Sequence, residues 1–165
     1  MKKTTRAAVI AALYVTLCLL LAPVSYGPVQ LRVSEALTLL SVLCPEAIVG
    51  VTLGCFISNM IMSTPIDMVV GTLATLVAGI LSYKTRNIRF FGLAVVASIP
   101  PVVVNAVAIG AVLTVLYNGA KAPVTVWILN MISVGAGQVV SCCILGIILL
   151  TVVERNKTLL RIMIG

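Results

Sequence analysis

The sequence contains no histidine and only one aspartate, Asp67. The absence of histidine excludes Ser-His and Cys-His nucleophile pairs, and it excludes every zinc site that uses a histidine ligand. A single aspartate excludes a catalytic pair of aspartates within a membrane. These absences argue against an enzyme, and we predict no catalytic residue.

Charged residues are also scarce, at 9% of the 165 residues, whereas 61% are hydrophobic and the mean hydropathy is +1.24. An ordinary soluble domain, in which about a quarter of the residues are charged, is therefore excluded. In lipid, only helices and closed barrels satisfy their own backbone hydrogen bonds. The apolar runs are unbroken and longer than the alternating strands of a barrel. We predict an all-α, multi-pass protein of the cell membrane, with residues 1–165 forming a single integral-membrane domain.

The five cysteines lie in apolar runs, and none of them forms a C-x-x-C pair. This placement is typical of small core residues. The sequence predicts neither a metal site nor a cofactor. The net charge of +7 is attributed to membrane topology, and no nucleic-acid partner is predicted, because that would need a soluble basic face with aromatic residues.

Short polar or basic segments separate the apolar runs. The runs extend over residues 7–24, 35–62, 66–83, 90–116 and 124–153, and the sequence Cys44-Pro45-Glu46 divides the second. A membrane span needs roughly 20 apolar residues. If the second run crosses once, the chain has five spans; if the chain turns at Pro45, it has six.

Basic residues accumulate in cytoplasmic loops, and this rule favours six spans. Nine basic residues then lie inside, and only Arg32 and Lys121 lie outside. The inner clusters are Lys2/Lys3/Arg6, Lys84/Arg86/Arg89 and Arg155/Lys157/Arg161. We predict six transmembrane helices with cytoplasmic N and C termini. The second helix, Ser34 to Leu43, would be only about 15 Å long, so it must be sheltered by neighbours or lie obliquely.

Small residues recur at a spacing of four in three predicted helices, which allows helix backbones to approach closely in a membrane. The rows are Ala7, Ala8, Ala11 and Ala12 in the first helix, Gly50, Gly54 and Ser58 in the third, and Gly71, Thr75 and Gly79 in the fourth. Packing within the chain explains the rows of the third and fourth helices. The first row begins at the cytoplasmic end, where internal packing and contact with another subunit are both open.

Polar residues gather in the two predicted extracellular turns and in the last two helices. We predict that substrate-binding residues come from this group, which contains Tyr26, Gln30, Arg32, Glu35, Asn59, Asp67, Trp127 and Asn130. Polar groups at membrane depth usually face the bundle interior or a cavity. Their convergence on one face predicts a small-molecule pocket near the outer side.

Most of these residues also have a purely structural explanation. Thr64-Pro65 followed by an acid at Asp67 is typical of a helix start, and Glu35 suits the positive end of a helix dipole. Arg32 can pair with either carboxylate. Asn130 can join two helices by a hydrogen bond, and the aromatic residues can be ordinary interfacial anchors.

The segments YGPVQLRVSEALTLL, PEAIVGVTLGC and DMVVGTLATLVAG, together with Asn59, resemble the QueT family over essentially the whole chain. The most specific part is the block LRVSEALTLL. This family comprises substrate-binding (S) components of energy-coupling factor (ECF) transporters, linked to the uptake of queuosine precursors. The resemblance implies a six-helix bundle that binds substrate near its outer face and docks on an ECF transmembrane coupling subunit driven by two ATPase subunits.

The resemblance also implies a docking surface of small residues on the first helix, which would be Ala7, Ala8, Ala11 and Ala12 here. An external energy source agrees with the sequence, which has no Walker A motif. A bundle with an outer pocket and no nucleotide site must obtain its driving force from another subunit.

A queuosine precursor is a 7-deazaguanine, whose guanine edge offers two parallel N–H donors that one carboxylate can accept together. We expect Glu35 and Asp67 to supply carboxylates. Asn59 or Asn130 suits the ligand carbonyl, and one of the aromatic residues named above can cover the flat ring.

Three alternatives stay open. They are an S component for another vitamin such as a flavin or thiamine, a membrane scaffold subunit without a ligand, and an intramembrane enzyme. A scaffold predicts a filled interior, whereas a transporter predicts a cavity under the loop Ser25 to Val33.

Overall fold

The computed structural model describes residues 2–25 and 31–164. Within these ranges the chain is helical apart from short connections, and the one β-bridge there pairs Phe90 with Leu93. The prediction of an all-α protein is confirmed. The helices are α1 (Lys3–Leu20), α2 (Ala22–Ser25), a 3₁₀-helix (Val33–Val42), α3 (Glu46–Met62), α4 (Pro65–Lys84), α5 (Val95–Leu113), α6 (Val124–Gln138), α7 (Ile147–Arg155) and α8 (Lys157–Ile164). The π-helical segments Thr114–Asn118 and Val139–Gly146 extend α5 and join α6 to α7.

Four helical segments of the described residues have the length and the apolar composition that a membrane crossing requires. They are Lys3–Leu20, Pro65–Lys84, Val95–Asn118 and Val124–Arg155. The predicted second and third spans correspond to two shorter apolar helices, Val33–Val42 and Glu46–Met62. The structure is therefore that of a helical membrane protein, while the six crossings and the cytoplasmic termini stay predictions.

The predicted short second helix is a 3₁₀-helix rather than an α-helix. At a rise of about 2 Å per residue, its ten residues extend about 20 Å, so the length predicted from α-helical geometry is too short. Every residue from Ser34 to Val42 is buried. Neighbouring helices thus shelter this element from lipid, as expected. Because 3₁₀ hydrogen bonds have poor geometry, close packing on all sides must help to stabilise so long a run.

The fifth helix begins at Val95, and not at Phe90 as its hydrophobic run suggests. Phe90 and Leu93 exchange backbone hydrogen bonds of 2.9 and 3.0 Å in a tight turn. Within this turn Phe91 and Gly92 have φ angles of 49° and 76°, which a right-handed helix cannot include. Hydropathy does not reveal the turn, because the two phenylalanines prolong the apolar run.

The helices α1, α3, α4, α5 and α6 pack each against the next, and the 3₁₀-helix contacts four of them as well as α7. Glycines allow α1 and α3 to approach closely. A Cβ atom on Gly54 would lie 2.6 Å from Cβ of Tyr14, and one on Gly50 would lie 2.8 Å from the carbonyl oxygen of Ala7. Two glycines of the small-residue row in the third predicted helix therefore serve packing within the chain, as predicted.

Side-chain contacts bring the three basic clusters to one end of the bundle. Lys3 lies 3.8 Å from the carboxylate that begins α3. Arg89 forms a bidentate ion pair with Glu154, with N–O distances of 2.7 and 3.2 Å. Arg6 donates a hydrogen bond to the carbonyl of Met163 in α8. The start of α1, the last two helices and the loop between α4 and α5 consequently share one basic end.

Candidate functional site

Glu35, in the first turn of the 3₁₀-helix, forms the first of two buried carboxylate centres. Only 1% of its surface is exposed. Its Oε1 atom accepts hydrogen bonds from Tyr14 at 2.5 Å and Thr75 at 3.2 Å, and its Oε2 atom accepts one from Thr38 at 3.0 Å. Residues of α1, α4 and the 3₁₀-helix thus provide the hydrogen bonds that a buried carboxylate requires.

Asp67, in the first turn of α4, forms the second centre. Its backbone N–H donates to Thr64 Oγ1 at 3.3 Å, and Pro65 begins the helix, which confirms the predicted helix start. The Asp67 side chain has a role besides starting the helix. Its Oδ2 atom accepts hydrogen bonds from Arg32 Nη2 at 3.1 Å and from Ser63 Oγ at 2.5 Å. Arg32 and Asp67 are 3% and 4% exposed, so this ion pair is buried.

Residues of α3 connect the two carboxylates. Asn59 Nδ2 lies 3.4 Å from the backbone carbonyl oxygen of Asp67 and 3.4 Å from Cys55 Sγ. Thr75 Oγ1 lies 3.3 Å from the same sulfur. Since the Thr75 hydroxyl has one proton and Glu35 is the stronger acceptor, the sulfur contact is the weaker of its two interactions. Polar contacts therefore run unbroken from Asp67 through α3 to Glu35.

A cleft of about 200 Å³ opens beside Asp67. Its lining consists of Met62, Ser63, Thr64, Asp67, Val112, Leu113, Leu116 and Tyr117. The lining combines an apolar side with a few polar groups, as small-molecule sites do. Among the described residues, no donor bonds to the buried Oδ1 atom of Asp67. Because this oxygen is itself buried, a ligand N–H can bond to it only when part of the surrounding lining moves aside.

Gly71 lies one turn after Asp67 and keeps space free for the amide of Asn59. A Cβ atom on Gly71 would lie 2.8 Å from Asn59 Nδ2 and 3.5 Å from Asp67 Oδ1. Asp67, Gly71 and Thr75 repeat every four residues and so share one face of α4. The small-residue row of the fourth predicted helix therefore contributes to the polar site, and packing alone does not account for it.

Four of the predicted binding residues, namely Arg32, Glu35, Asn59 and Asp67, lie together in this polar network. Of the two carboxylates predicted as partners of Arg32, the observed one is Asp67. Tyr26 and Gln30 lie outside the described residues, and so does most of the loop from Ser25 to Val33 under which a cavity was predicted. The role of that loop stays a prediction.

The two predicted residues of α6 have different positions. Asn130 Nδ2 donates to Thr114 Oγ1 at 2.9 Å, so Asn130 joins α6 to the end of α5. The amide of Asn130 thus joins two helices by a hydrogen bond, which is its purely structural explanation. Trp127 is half-buried near the start of α6. Neither residue forms a hydrogen bond to Glu35 or Asp67 within the described part of the chain.

Three hydroxyl residues of the network, Tyr14, Thr38 and Thr75, were not among the predicted binding residues. Thr38 follows Glu35 by three residues, which is one turn of a 3₁₀-helix. Thr75 follows Asp67 by two steps of four residues. These spacings are the signals that identify the threonines. The signal for Tyr14 is a hydroxyl group within an otherwise apolar run.

The alanine row of α1 occupies two faces of the helix, one buried and one exposed. Ala11 is buried and Ala7 is half-buried, and their carbonyl oxygens lie against the two glycines of α3. Ala8 and Ala12 are exposed. A groove of about 550 Å³ runs beside them, lined by Ala8, Ala11, Ala12, Val15, Thr16, Leu53 and Ile57. Three of the four alanines therefore line the groove, although Ala11 is buried, and Ala7 packs against α3 instead.

The network suits non-covalent recognition of a polar ligand. It combines two carboxylates, a guanidinium, an amide and several hydroxyl groups, which together can accept and donate hydrogen bonds. Within the described residues, no three Cys, Asp or Glu side chains are grouped so that they can hold a metal ion. Recognition by hydrogen bonds and charge is the chemistry that the arrangement supports.

Comparisons with known proteins agree with this chemistry. Residues 4–155 match the family described as QueT transporter. A relative from Lactococcus lactis subsp. cremoris (strain MG1363), named Queuosine precursor transporter QueT, is 47% identical over 72 residues, which are 42% of this chain and 43% of the relative. The matched stretch thus spans less than half the length of that relative, and no solved structure matches. The family is one of transporters and not of enzymes. Because the family match covers nearly the whole sequence, the chain belongs to the QueT transporter family.

Proposed function

We propose that the chain is the substrate-binding subunit of an ECF-type importer and that its substrate is a 7-deazaguanine precursor of queuosine. The family match and the name of the Lactococcus relative support the transport role and the class of substrate. The observation that carries the proposal is the Asp67 carboxylate. It is buried beside a cleft, and one of its oxygens has no donor among the described residues.

The chemistry of a 7-deazaguanine fits the polar network. Its ring N–H and amino group are donors, and Asp67 Oδ1 is an acceptor. Oε2 of Glu35 accepts one hydrogen bond among the described residues, so a second lone pair is available there. The donors of Asn59 and Arg32 suit the ligand carbonyl. The two adjacent donors of the guanine edge suit a single carboxylate. The other carboxylate is then available for a further donor of the ligand, such as the cationic aminomethyl group that some precursors carry.

The flat ring needs apolar cover, which the described cleft provides from the end of α5. Aromatic faces give the best cover for such a ring. We propose that Tyr26 or Trp127 completes the site from the loop or from α6, with Gln30 and Asn130 as further polar contacts.

The ligand that remains bound through purification tests the proposal. Full-length protein is purified in mild detergent from cells that contain queuosine precursors, and the extracted small molecules are identified by mass. A 7-deazaguanine is expected, and calorimetry should show that it binds while guanosine and riboflavin do not. Recovery of a flavin or thiamine would support the alternative vitamin transporter. If no tested ligand binds and the cleft closes in solution, the scaffold alternative is correct.

We further propose that the termini and the Lys84 to Arg89 loop are cytoplasmic and that the chain crosses the membrane six times. The common basic end of the bundle supports this orientation, because basic residues are retained in the cytoplasm. Asp67 and its cleft then lie towards the outer side, where an importer meets its substrate.

Site-directed labelling tests this orientation. Cysteines placed at the exposed positions Asn87 and Asn118 should react with a membrane-impermeant maleimide from opposite sides. Asn118→Cys is expected to label in intact cells, and Asn87→Cys only after the cells are opened. The parent protein is a suitable control, because its native cysteines are buried or half-buried. Labelling of both positions in intact cells would contradict the six-span arrangement.

The energy source of this importer must come from other subunits. We propose that an ECF transmembrane coupling subunit, driven by two ATPase subunits, docks on α1. The groove beside Ala8 and Ala12 supports this location, because small exposed residues let a partner helix approach closely. Ala11 also lines this groove, and both Ala7 and Ala11 hold α1 against α3.

A further inference from the structure

The last helix, α8, is separate from the spanning helix before it. Asn156 leaves the helical conformation, with φ of −91° and ψ of 106°. Its side-chain oxygen then accepts hydrogen bonds from the backbone N–H groups of Thr158 and Leu159 at 3.0 and 3.2 Å. Such a bond pattern is that of a helix N-cap. α8 therefore starts as a new helix after the basic residue Arg155.

α8 is strongly amphipathic, with apolar side chains over most of its surface and two cations on one edge. Lys157 and Arg161 are four residues apart and so lie side by side. An open groove on this edge is lined by Lys157, Leu160, Arg161 and Ile164. No residue of α8 is fully buried. The helix thus presents both charge and apolar surface to its surroundings.

Two contacts hold α8 against the bundle. The guanidinium of Arg6, itself only 6% exposed, donates to the carbonyl of Met163. The Met163 side chain packs against the apolar core formed by α1, α3 and the 3₁₀-helix. These contacts use one side of α8 and leave the edge with Lys157 and Arg161 open.

The acidic residues at this end have other partners. Glu46 pairs with Lys3, and Glu154 pairs with Arg89. Within the described part of the chain, Lys157 and Arg161 form no ion pair. Their positive charge is therefore not neutralised by those residues, and it adds to the charge of the basic clusters around it.

We propose that α8 lies in the membrane surface and binds an anionic phospholipid. The lipid phosphate sits between Lys157 and Arg161, and an acyl chain runs along Leu160 and Ile164. A phosphate accepts charge-assisted hydrogen bonds from both side chains. An amphipathic basic helix next to a spanning helix is the arrangement that anionic membrane surfaces attract. The proposal concerns the anchoring of the chain and does not depend on the identity of its transported substrate.

Lipid titration followed by native mass spectrometry tests the proposal. The full chain in mild detergent is titrated with phosphatidylglycerol and, separately, with phosphatidylcholine. The first lipid is expected to bind more tightly. The double variant Lys157→Gln/Arg161→Gln should bind phosphatidylglycerol about 30-fold more weakly. Each basic residue near an anionic surface contributes roughly a factor of five to the affinity, and the variant loses two of them. Its affinity for phosphatidylcholine should stay that of the parent.

Matched variants separate a site from general charge. Lys2→Gln/Lys84→Gln removes the same charge from exposed positions at the same end and should leave lipid binding nearly unchanged. The exchange Lys157→Arg/Arg161→Lys retains both cations and should bind like the parent, which also checks that α8 folds. Equal weakening in both glutamine variants would overturn the site. Displacement of the lipid by inorganic phosphate would also overturn the proposal. The same holds if Lys157→Gln/Arg161→Gln binds phosphatidylglycerol like the parent but no longer binds a protein partner.

Discussion

Asparagine in place of Asp67 is expected to weaken the binding of a 7-deazaguanine roughly tenfold to a hundredfold, because a hydrogen bond to a buried charged group contributes about 1.5–3 kcal/mol. The carboxylate has one oxygen without a donor from the described residues, and the other already serves Arg32 and Ser63. The NH₂ group of an asparagine would face either the Arg32 guanidinium or the donors of the ligand. In both cases a donor would meet a donor, and one hydrogen bond would be lost. Isothermal titration calorimetry of the detergent-solubilised protein measures the difference.

Two controls distinguish lost recognition from a damaged fold. Ser63→Ala removes a neutral donor from the same carboxylate and should change the affinity by less than about tenfold. The double variant Arg32→Gln/Asp67→Asn removes both charges of the buried ion pair, and therefore avoids leaving one of them behind. This variant should fold, as judged by its thermal transition, and should still bind weakly. Binding equal to that of the parent would exclude Asp67 as a ligand acceptor.

Glu35 provides the complementary variant. Glu35→Gln retains the shape of the side chain, and the surrounding Tyr14, Thr38 and Thr75 hydroxyl groups can reorient towards the amide. We expect weaker binding here too, since a charged acceptor becomes neutral. If Glu35→Gln lowers the thermal stability without changing the affinity, Glu35 is a structural centre and Asp67 alone recognises the ligand.

The class of fold follows from the sequence because it depends on composition and run length, which are local properties. The turn at Pro45 and the capping residues before Asp67 are also local, and the structure contains both. By contrast, the 3₁₀ geometry of Val33–Val42 depends on burial from all sides. The start of α5 depends on the positive φ angles of Phe91 and Gly92. Neither feature has a signal in hydropathy.

Part of the candidate site also follows from the sequence, because charged and amide side chains inside an apolar chain are few and conspicuous. Arg32, Glu35, Asn59 and Asp67 belong to this kind and are found together. The hydroxyl groups around Glu35 are less conspicuous, since threonine and tyrosine are common in membrane helices. Their role depends on which helix faces meet, and that is a property of tertiary packing.

The alanine row of α1 illustrates the same limit. The sequence places Ala7, Ala8, Ala11 and Ala12 on adjoining faces of one helix, but it cannot distinguish the face that meets α3. The two glycines of α3 decide the matter, because they accept the backbone at Ala7 and Ala11. Ala8 and Ala12 remain exposed, which narrows the surface available to a partner.

Tryptophan in place of Ala8 is expected to abolish uptake of a queuosine precursor in cells while leaving substrate binding to the isolated protein intact. The large side chain fills the groove beside α1 and holds a partner helix away from the backbone. A loss of about 1.4 kcal/mol in docking already means a tenfold weaker complex. Ala8 lies six residues before Tyr14, about 9 Å along the helix, and Tyr14 points inwards to Glu35. Uptake of labelled precursor and calorimetry on the same variant measure the two effects.

The separation of the two effects is what identifies the groove as a docking surface. Leu73→Trp places the same side chain at an exposed position of α4, away from the groove, and should transport like the parent. Ala12→Trp should repeat the result of Ala8→Trp one turn further along α1. Loss of binding together with uptake would mean that the alanines serve internal packing. Normal uptake at normal protein levels would place the coupling surface on another face of the protein. A subunit that docks through α1 needs this contact for ATP-driven release of its substrate, so blocking the contact would stop uptake.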